Sequence, residues 1–190
     1  MNAYHVSLVH FPIALWITAM LVILWRTLSD GALARTIDRA LVPLLTLALL
    51  AGLAAFLVGT QVWAWETLTS SPLGRNHMLM ASWTVALWAV LLWLRWRGGE
   101  AVWQGPSRWV MALVALLGSA LVVVTATLGG HLMGATTGLS RLLVALGWEV
   151  YQTYYVPSFA VWALLAIAGL LVLLGWWARG GADAVRAGGR

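Results

Sequence analysis

The sequence contains no cysteine and no lysine, and its charged side chains are few: six acidic and eleven basic residues, 9% of a 190-residue chain. Without cysteine, disulfides, thiolate metal sites, iron–sulfur clusters and covalent c-type haem attachment are excluded. The scarcity of charge excludes more. A soluble domain carries about a quarter charged residues, whereas this chain is 62% hydrophobic with a mean hydropathy of +0.89. That composition belongs to an integral membrane protein and not to a soluble enzyme. The chain also lacks a zinc HExxH, a GxSxG elbow, a phosphate loop and a dinucleotide fingerprint.

What is present is a set of five apolar stretches, Val6–Leu28, Leu41–Trp65, Met78–Trp96, Trp109–Leu128 and Val156–Trp177. Each is long enough to cross about 30 Å of hydrocarbon as a helix. The expected fold is therefore all-α: a polytopic membrane bundle of five transmembrane helices in one domain, residues 1–178, followed by a mobile cytoplasmic tail, 179–190. No basic n-region precedes the first stretch, which reads as a mature helix and not as a signal peptide. No long internal repeat or low-complexity segment stands out.

The net charge of +5 would suggest nucleic acid if the arginines formed a stripe, but they cap helices instead. Nine of the eleven (Arg26, Arg35, Arg39, Arg95, Arg97, Arg108, Arg179, Arg186 and Arg190) fall on one side, and only Arg75 and Arg141 on the other. The positive-inside rule then puts the N-terminus in the periplasm and the C-terminus in the cytoplasm of a bacterial inner membrane. Tryptophans near helix ends, among them Trp25, Trp63, Trp65, Trp93, Trp96, Trp109, Trp148, Trp176 and Trp177, fit interfacial anchoring.

Prolines mark helix starts at Pro43, at Ser71-Pro72 with a serine N-cap, at Pro106 and at Pro157. Pro12 allows two readings: a helix kinked at Pro12, or one that begins near Phe11 and leaves His5–His10 non-helical. Leu139, Leu142, Leu143, Leu146 and Val150 recur at helical spacing and predict an amphipathic helix on the outer surface, seated by Trp148, Tyr151, Tyr154 and Tyr155. Gly52 and Gly59 share one helix face, and Gly118, Thr125 and Gly129 another. Such faces admit a neighbouring backbone, or else form a flat wall for a porphyrin.

No Asp, Glu or Lys lies inside the five spans except at their edges, which disfavours a pump built on an intramembrane relay. Four histidines remain, His5, His10, His77 and His131, and all map to the outer helix ends. His10 lies five residues past His5, and His77 five past Pro72, so where both segments are helical those two sit about 7 Å deep on separate helices. A haem b takes axial imidazoles from opposite sides, which one helix cannot supply. His10 and His77 are the expected pair. His5 and His10 diverge by about 140° on a helical wheel, so if both are ligands they serve two centres, with His5 and His131 contributing to a second haem. Arg75 and Arg141 suit the anionic propionates. A second reading starts from His77-Met78-Leu79-Met80 and His131-Leu132-Met133, where thioether beside imidazole suits copper.

The run His5-Val6-Ser7-Leu8-Val9-His10-Phe11-Pro12-Ile13-Ala14-Leu15 resembles the opening signature of the domain-of-unknown-function-2231 family of bacterial membrane proteins. Gly52 and Gly59, Arg75 followed by His77, and Gly129-Gly130 extend the resemblance over residues 5–138. Family members often carry a histidine and a glycine beyond the paired glycines; here Ala135-Thr136-Thr137-Gly138 lacks that histidine and His131 directly follows the pair. The resemblance implies a polytopic membrane protein with outer-side histidines beside redox proteins. The expected function is thus a non-catalytic electron-transfer subunit of a respiratory or photosynthetic complex. It would pass electrons between the quinone pool and a periplasmic redox protein such as a cytochrome c, and pack against other membrane subunits. The alternative is a cofactor-free structural or anchoring subunit.

Overall fold

Local signals decide where the helices begin and end. In the computed structural model, which describes residues 2–147, 149, 151, 152 and 166, α1 (Asn2–Leu28) continues through Pro12 without a break. His5 and His10 are thus both helical. After α2 (Ala32–Asp38), α3 (Leu41–Gly59) carries Pro43 in its first turn. The Pro43 ring leaves no room for the carbonyl of Arg39, and the helical path breaks there. α4 (Trp65–Ser70) leads into α5 (Pro72–Gly98), which opens as the sequence predicts: the Ser71 side chain accepts the Gly74 N–H at 3.1 Å, with Pro72 at the first helical position. A 3-10 turn (Gly99–Trp103) joins α5 to α6 (Ser107–Leu132). α7 (Gly138–Ala145) is capped reciprocally by Thr137 and Ser140.

Every regular element among the described residues is helical, and four helices are long and apolar enough to cross a membrane: α1, α2 with α3, α5 with its 3-10 turn, and α6. Their flanks expose large apolar side chains such as Leu21, Leu50, Leu57, Leu113 and Trp96, a surface suited to hydrocarbon. By contacts the chain divides into two compact units, Met1–Thr153 and Tyr154–Arg190. The expected span Val156–Trp177 and the tail with Arg179, Arg186 and Arg190 fall in the second unit, nearly all of it outside the described residues. Two expected boundaries move. The second stretch ends at Gly59, not Trp65, and turns through Thr60 and Gln61. The amphipathic helix stops at Ala145 because Gly147 takes φ +85°, a left-handed helix terminus.

α1 packs against α3 and α6, and α5 packs against α6 and α3. The arrangement is two hairpins, α1 with α3 and α5 with α6, related by a short recurrence within a sequence that shows no long repeat. His5 and Ala14-Leu15-Trp16 of α1 recur 72 positions later as His77 and Ala86-Leu87-Trp88 of α5. Burial coincides at four pairs, Pro12 and Thr84, Trp16 and Trp88, Ala19 and Leu91, Ile23 and Arg95, whereas Arg26, Thr27 and Asn76 are buried opposite counterparts that are not. On the returning helices Leu41, Leu45, Ala48 and Gly52 of α3 match Met111, Ala115, Gly118 and Val122 of α6, 70 positions on. Identity is slight because lipid-facing positions need only be apolar. The repeat survives where rings meet the bundle centre. A parallel repeat of this kind has its pseudo-twofold axis along the bundle.

The end of the bundle opposite the histidines is closed by ions. Asp38, 1% exposed, accepts Nε of Arg95 at 3.1 Å, Nη2 of Arg95 at 2.6 Å and the indole N–H of Trp103 at 3.1 Å. Arg95 also meets Glu100 at 2.9 Å, Arg26 pairs with Asp30 and Glu100, and Arg108 with Asp30 at 3.0 Å. Arg26, and after it Arg108, hold the Asp30 carboxyl below the usual carboxylate range. The guanidiniums of Arg26 and Arg95 both lie over the Trp103 ring, 5.4 and 5.9 Å from its centroid. Arginines that the sequence presents as caps therefore also knit α1, α2, α5 and α6 together.

Candidate functional site

His5 stands in the first turns of α1, and its Nδ1 lies 3.1 Å from the carbonyl oxygen of Ala55 on α3. A helical carbonyl keeps a second lone pair beside the one given to its own helix, and the imidazole uses it. The ring fits because residue 59, one turn on, is glycine: a Cβ there would stand 2.7 Å from His5 Cε1. The same construction occurs in the second copy. His77 Nδ1 lies 3.1 Å from the carbonyl oxygen of Thr125 on α6, and a Cβ on Gly129 would stand 3.0 Å from His77 Cε1.

A carbonyl oxygen can only accept, so each neutral imidazole carries its proton on Nδ1. Nε2 keeps its lone pair, which is the state a metal ligand needs. Both rings line one cavity of about 350 Å³ in the centre of the four-helix arrangement. Its other walls are almost wholly apolar, with Val9 and Ile13 from α1, Phe56 from α3, Val85 from α5 and Val122 and Ala126 from α6. Toward the middle of the bundle Trp16 also borders it, stacked on Trp88 with centroids 5.9 Å apart and planes 12° from parallel. The indoles are received by glycines as well: a Cβ on Gly52 would lie 2.5 Å from Trp16, and one on Gly118 3.1 Å from Trp88. The glycine faces thus admit rings from the neighbouring helix, not its backbone as the sequence reading expects.

The remaining expected site residues are distributed around this pair. His10 also borders the cavity, which follows α1 from His5 to Trp16 and so takes in residues that diverge on a wheel. It is exposed, and its Nδ1 lies 2.7 Å from the Val6 carbonyl of its own helix. His131 is buried, with Nδ1 2.8 Å from the Tyr151 hydroxyl and the two rings edge to face, and it does not line the cavity. Arg75 lies half-buried in the first turn of α5, two residues before His77, and Arg141 is exposed on α7. Met78 and Met133 border a smaller neighbouring cavity that the two histidine rings also line. Among the described residues no three His, Asp or Glu side chains gather into a metal-ion site, and the imidazoles that line the cavity are those of His5, His77 and His10.

The pairing of His5 with His77 was legible only through the repeat, whose signal is the recurrence of Ala-Leu-Trp nine residues after a histidine. No protein-family model matches the chain, and neither does any curated protein or solved structure.

Proposed function

We propose that this chain is an electron-transfer subunit of the bacterial inner membrane that holds one haem b between His5 and His77. It exchanges electrons with the quinone pool and with a periplasmic redox protein such as a cytochrome c. The observation that supports the reading is the pair itself: two imidazoles on facing helices, at equivalent positions of a duplicated hairpin, each with Nδ1 fixed on a carbonyl and both lining one apolar cavity. Helical bundles build cofactor sites in this way, from facing side chains in the core.

Haem b, when bound, supplies one-electron redox chemistry whose potential depends on axial ligands and burial. The chain's own residues do the rest. The Ala55 and Thr125 carbonyls orient the imidazoles and raise their basicity. Val9, Ile13, Val122 and Ala126 give the cavity an apolar lining. The geometry favours His5 over His10 as the partner of His77, since the Nδ1 bond of His10 stays within its own helix. Arg75, beside His77 in α5, is the cation assigned to a propionate, with Arg141 the second choice. The excess of arginine at the opposite end supports a periplasmic side for the histidines, and the resemblance to the domain-of-unknown-function-2231 family belongs to the same proposal.

The test is an absorption spectrum of the purified protein, oxidised and dithionite-reduced. A low-spin bis-imidazole haem should give a sharp Soret shift and a sharp α-band on reduction. A colourless protein from haem-replete cells would overturn the reading in favour of a cofactor-free subunit that anchors a larger complex.

A further inference from the structure

The duplication supplies two versions of the same cavity wall, and they are unequal. The cavity of about 350 Å³, lined by all four helices, extends past the histidine pair along Val6 and His10 of α1 and Gly130 and Met133 at the end of α6, whereas the space beyond the pair along Gly59, Trp63 and Met78 is a separate one of about 80 Å³. The repeat explains the difference residue by residue. Phe56 on α3 stands where the second copy has Ala126, Trp63 where it has Met133, and Met78 on α5 where the first copy has Val6. All three changes add bulk on the α3/α5 side; Ala81 in place of Val9 is too small a reversal to offset them.

Resting on the haem reading above, we infer that Phe56 and Trp63 are a plug that breaks the symmetry of the site, so that the tetrapyrrole is seated on the α1/α6 side. The rim of that side is formed by residues that reach the outer surface, Val6, His10, Ala126 and Met133, and all but one are apolar. A pseudo-symmetric ligand pair with one open side also fixes a single orientation of an asymmetric macrocycle, which two equal halves would not.

The experiment exchanges bulk between the two sides in the full-length protein. Ala126→Phe places on α6 the ring that α3 carries, and Val9→Phe fills the same side from α1, so the outcome does not depend on one variant folding. Both are expected to elute from size exclusion in detergent like the wild type and to retain about tenfold less haem per protein, the order expected when a well-packed site is overfilled. Phe56→Ala is expected to retain haem and to show two haem orientations, as doubled haem-methyl resonances in proton NMR. Full haem content in both Phe variants, with loss in Phe56→Ala, would put the ligand on the α3/α5 side and overturn the inference while leaving the haem reading intact. Full haem content and one orientation in all three would overturn it equally. A colourless wild type overturns the haem reading, and this inference with it.

Discussion

Trp16 and Trp88 stack across the bundle centre with ring centroids 5.9 Å apart, one from each copy of the hairpin. Each stands eleven residues after the histidine of its copy, and each rests on a glycine of the returning helix. Both indole N–H groups are buried without a hydrogen-bond partner among the described residues, which costs about 1–3 kcal/mol apiece. Two large rings at the pseudo-axis separate the polar histidine end from the ionic end and form the floor on which a cavity can stand open. Neither hairpin alone has a partner for its ring, so the stack makes the two copies interdependent.

The glycines that receive these rings should be unequal in their tolerance. Gly52→Ala brings a Cβ to 2.5 Å from the Trp16 ring, which must then shift, whereas Gly118→Ala meets Trp88 at 3.1 Å. Overpacking of a filled core costs about 1–3 kcal/mol. A thermal melt in detergent should show Gly52→Ala clearly destabilised and Gly118→Ala less so. Equal melts for the two would mean that the Trp16 ring is not held against α3.

The histidine pair makes a sharper prediction. If haem is held as proposed, His5→Ala and His77→Ala should each take away one of its imidazoles, and the iron should become high-spin or the haem be lost while the protein still inserts. His10→Ala and His131→Ala should leave the low-spin spectrum in place. Loss in His10→Ala together with a wild-type spectrum in His5→Ala would restore the pairing that sequence position alone suggests.

Much of the bundle is legible in the sequence because hydropathy, prolines and arginines are local signals: the four described spans, the Ser71-Pro72 cap and the run of α1 through Pro12, one of two readings open at that proline, all follow from them. The site is less so. Depth along a helix places His5, His10, His77 and His131 near one end but says nothing of which carbonyl each ring finds, and that choice needs Gly59 and Gly129 on other helices. The ionic end was hidden for a similar reason. Asp38 and Arg95 lie 57 residues apart, and read singly they are a loop acid and a helix cap.

The ionic end should govern stability. Asp38→Ala leaves the buried Arg95 guanidinium without its two-pronged partner and the Trp103 N–H unpaired. Breaking a buried pair from one side costs about 3–5 kcal/mol. Asp30 is exposed, so Asp30→Ala should shift the melt far less. If the two substitutions shift it alike, the Asp38–Arg95–Trp103 cluster is not what closes that end.

The same cluster constrains topology. α2 carries Arg35 and Asp38, and Arg97 lies in the last turn of α5 beside Arg95; the Arg95–Asp38 pair requires both segments on one side of the membrane. α4, with Thr69, belongs to the opposite end, where α5 starts beside the histidines. Reporter fusions after Arg35 and after Arg97 should therefore agree with each other and disagree with one after Thr69, and the arginine excess makes the agreeing side the cytoplasm. Agreement with both in the periplasm would invert the protein and put the histidine cavity on the cytoplasmic side, out of reach of a periplasmic cytochrome. Opposite signals from Arg35 and Arg97 would be graver, since no single membrane arrangement could then preserve the Arg95–Asp38 pair, and with it the four-helix packing that brings His5 and His77 to one cavity.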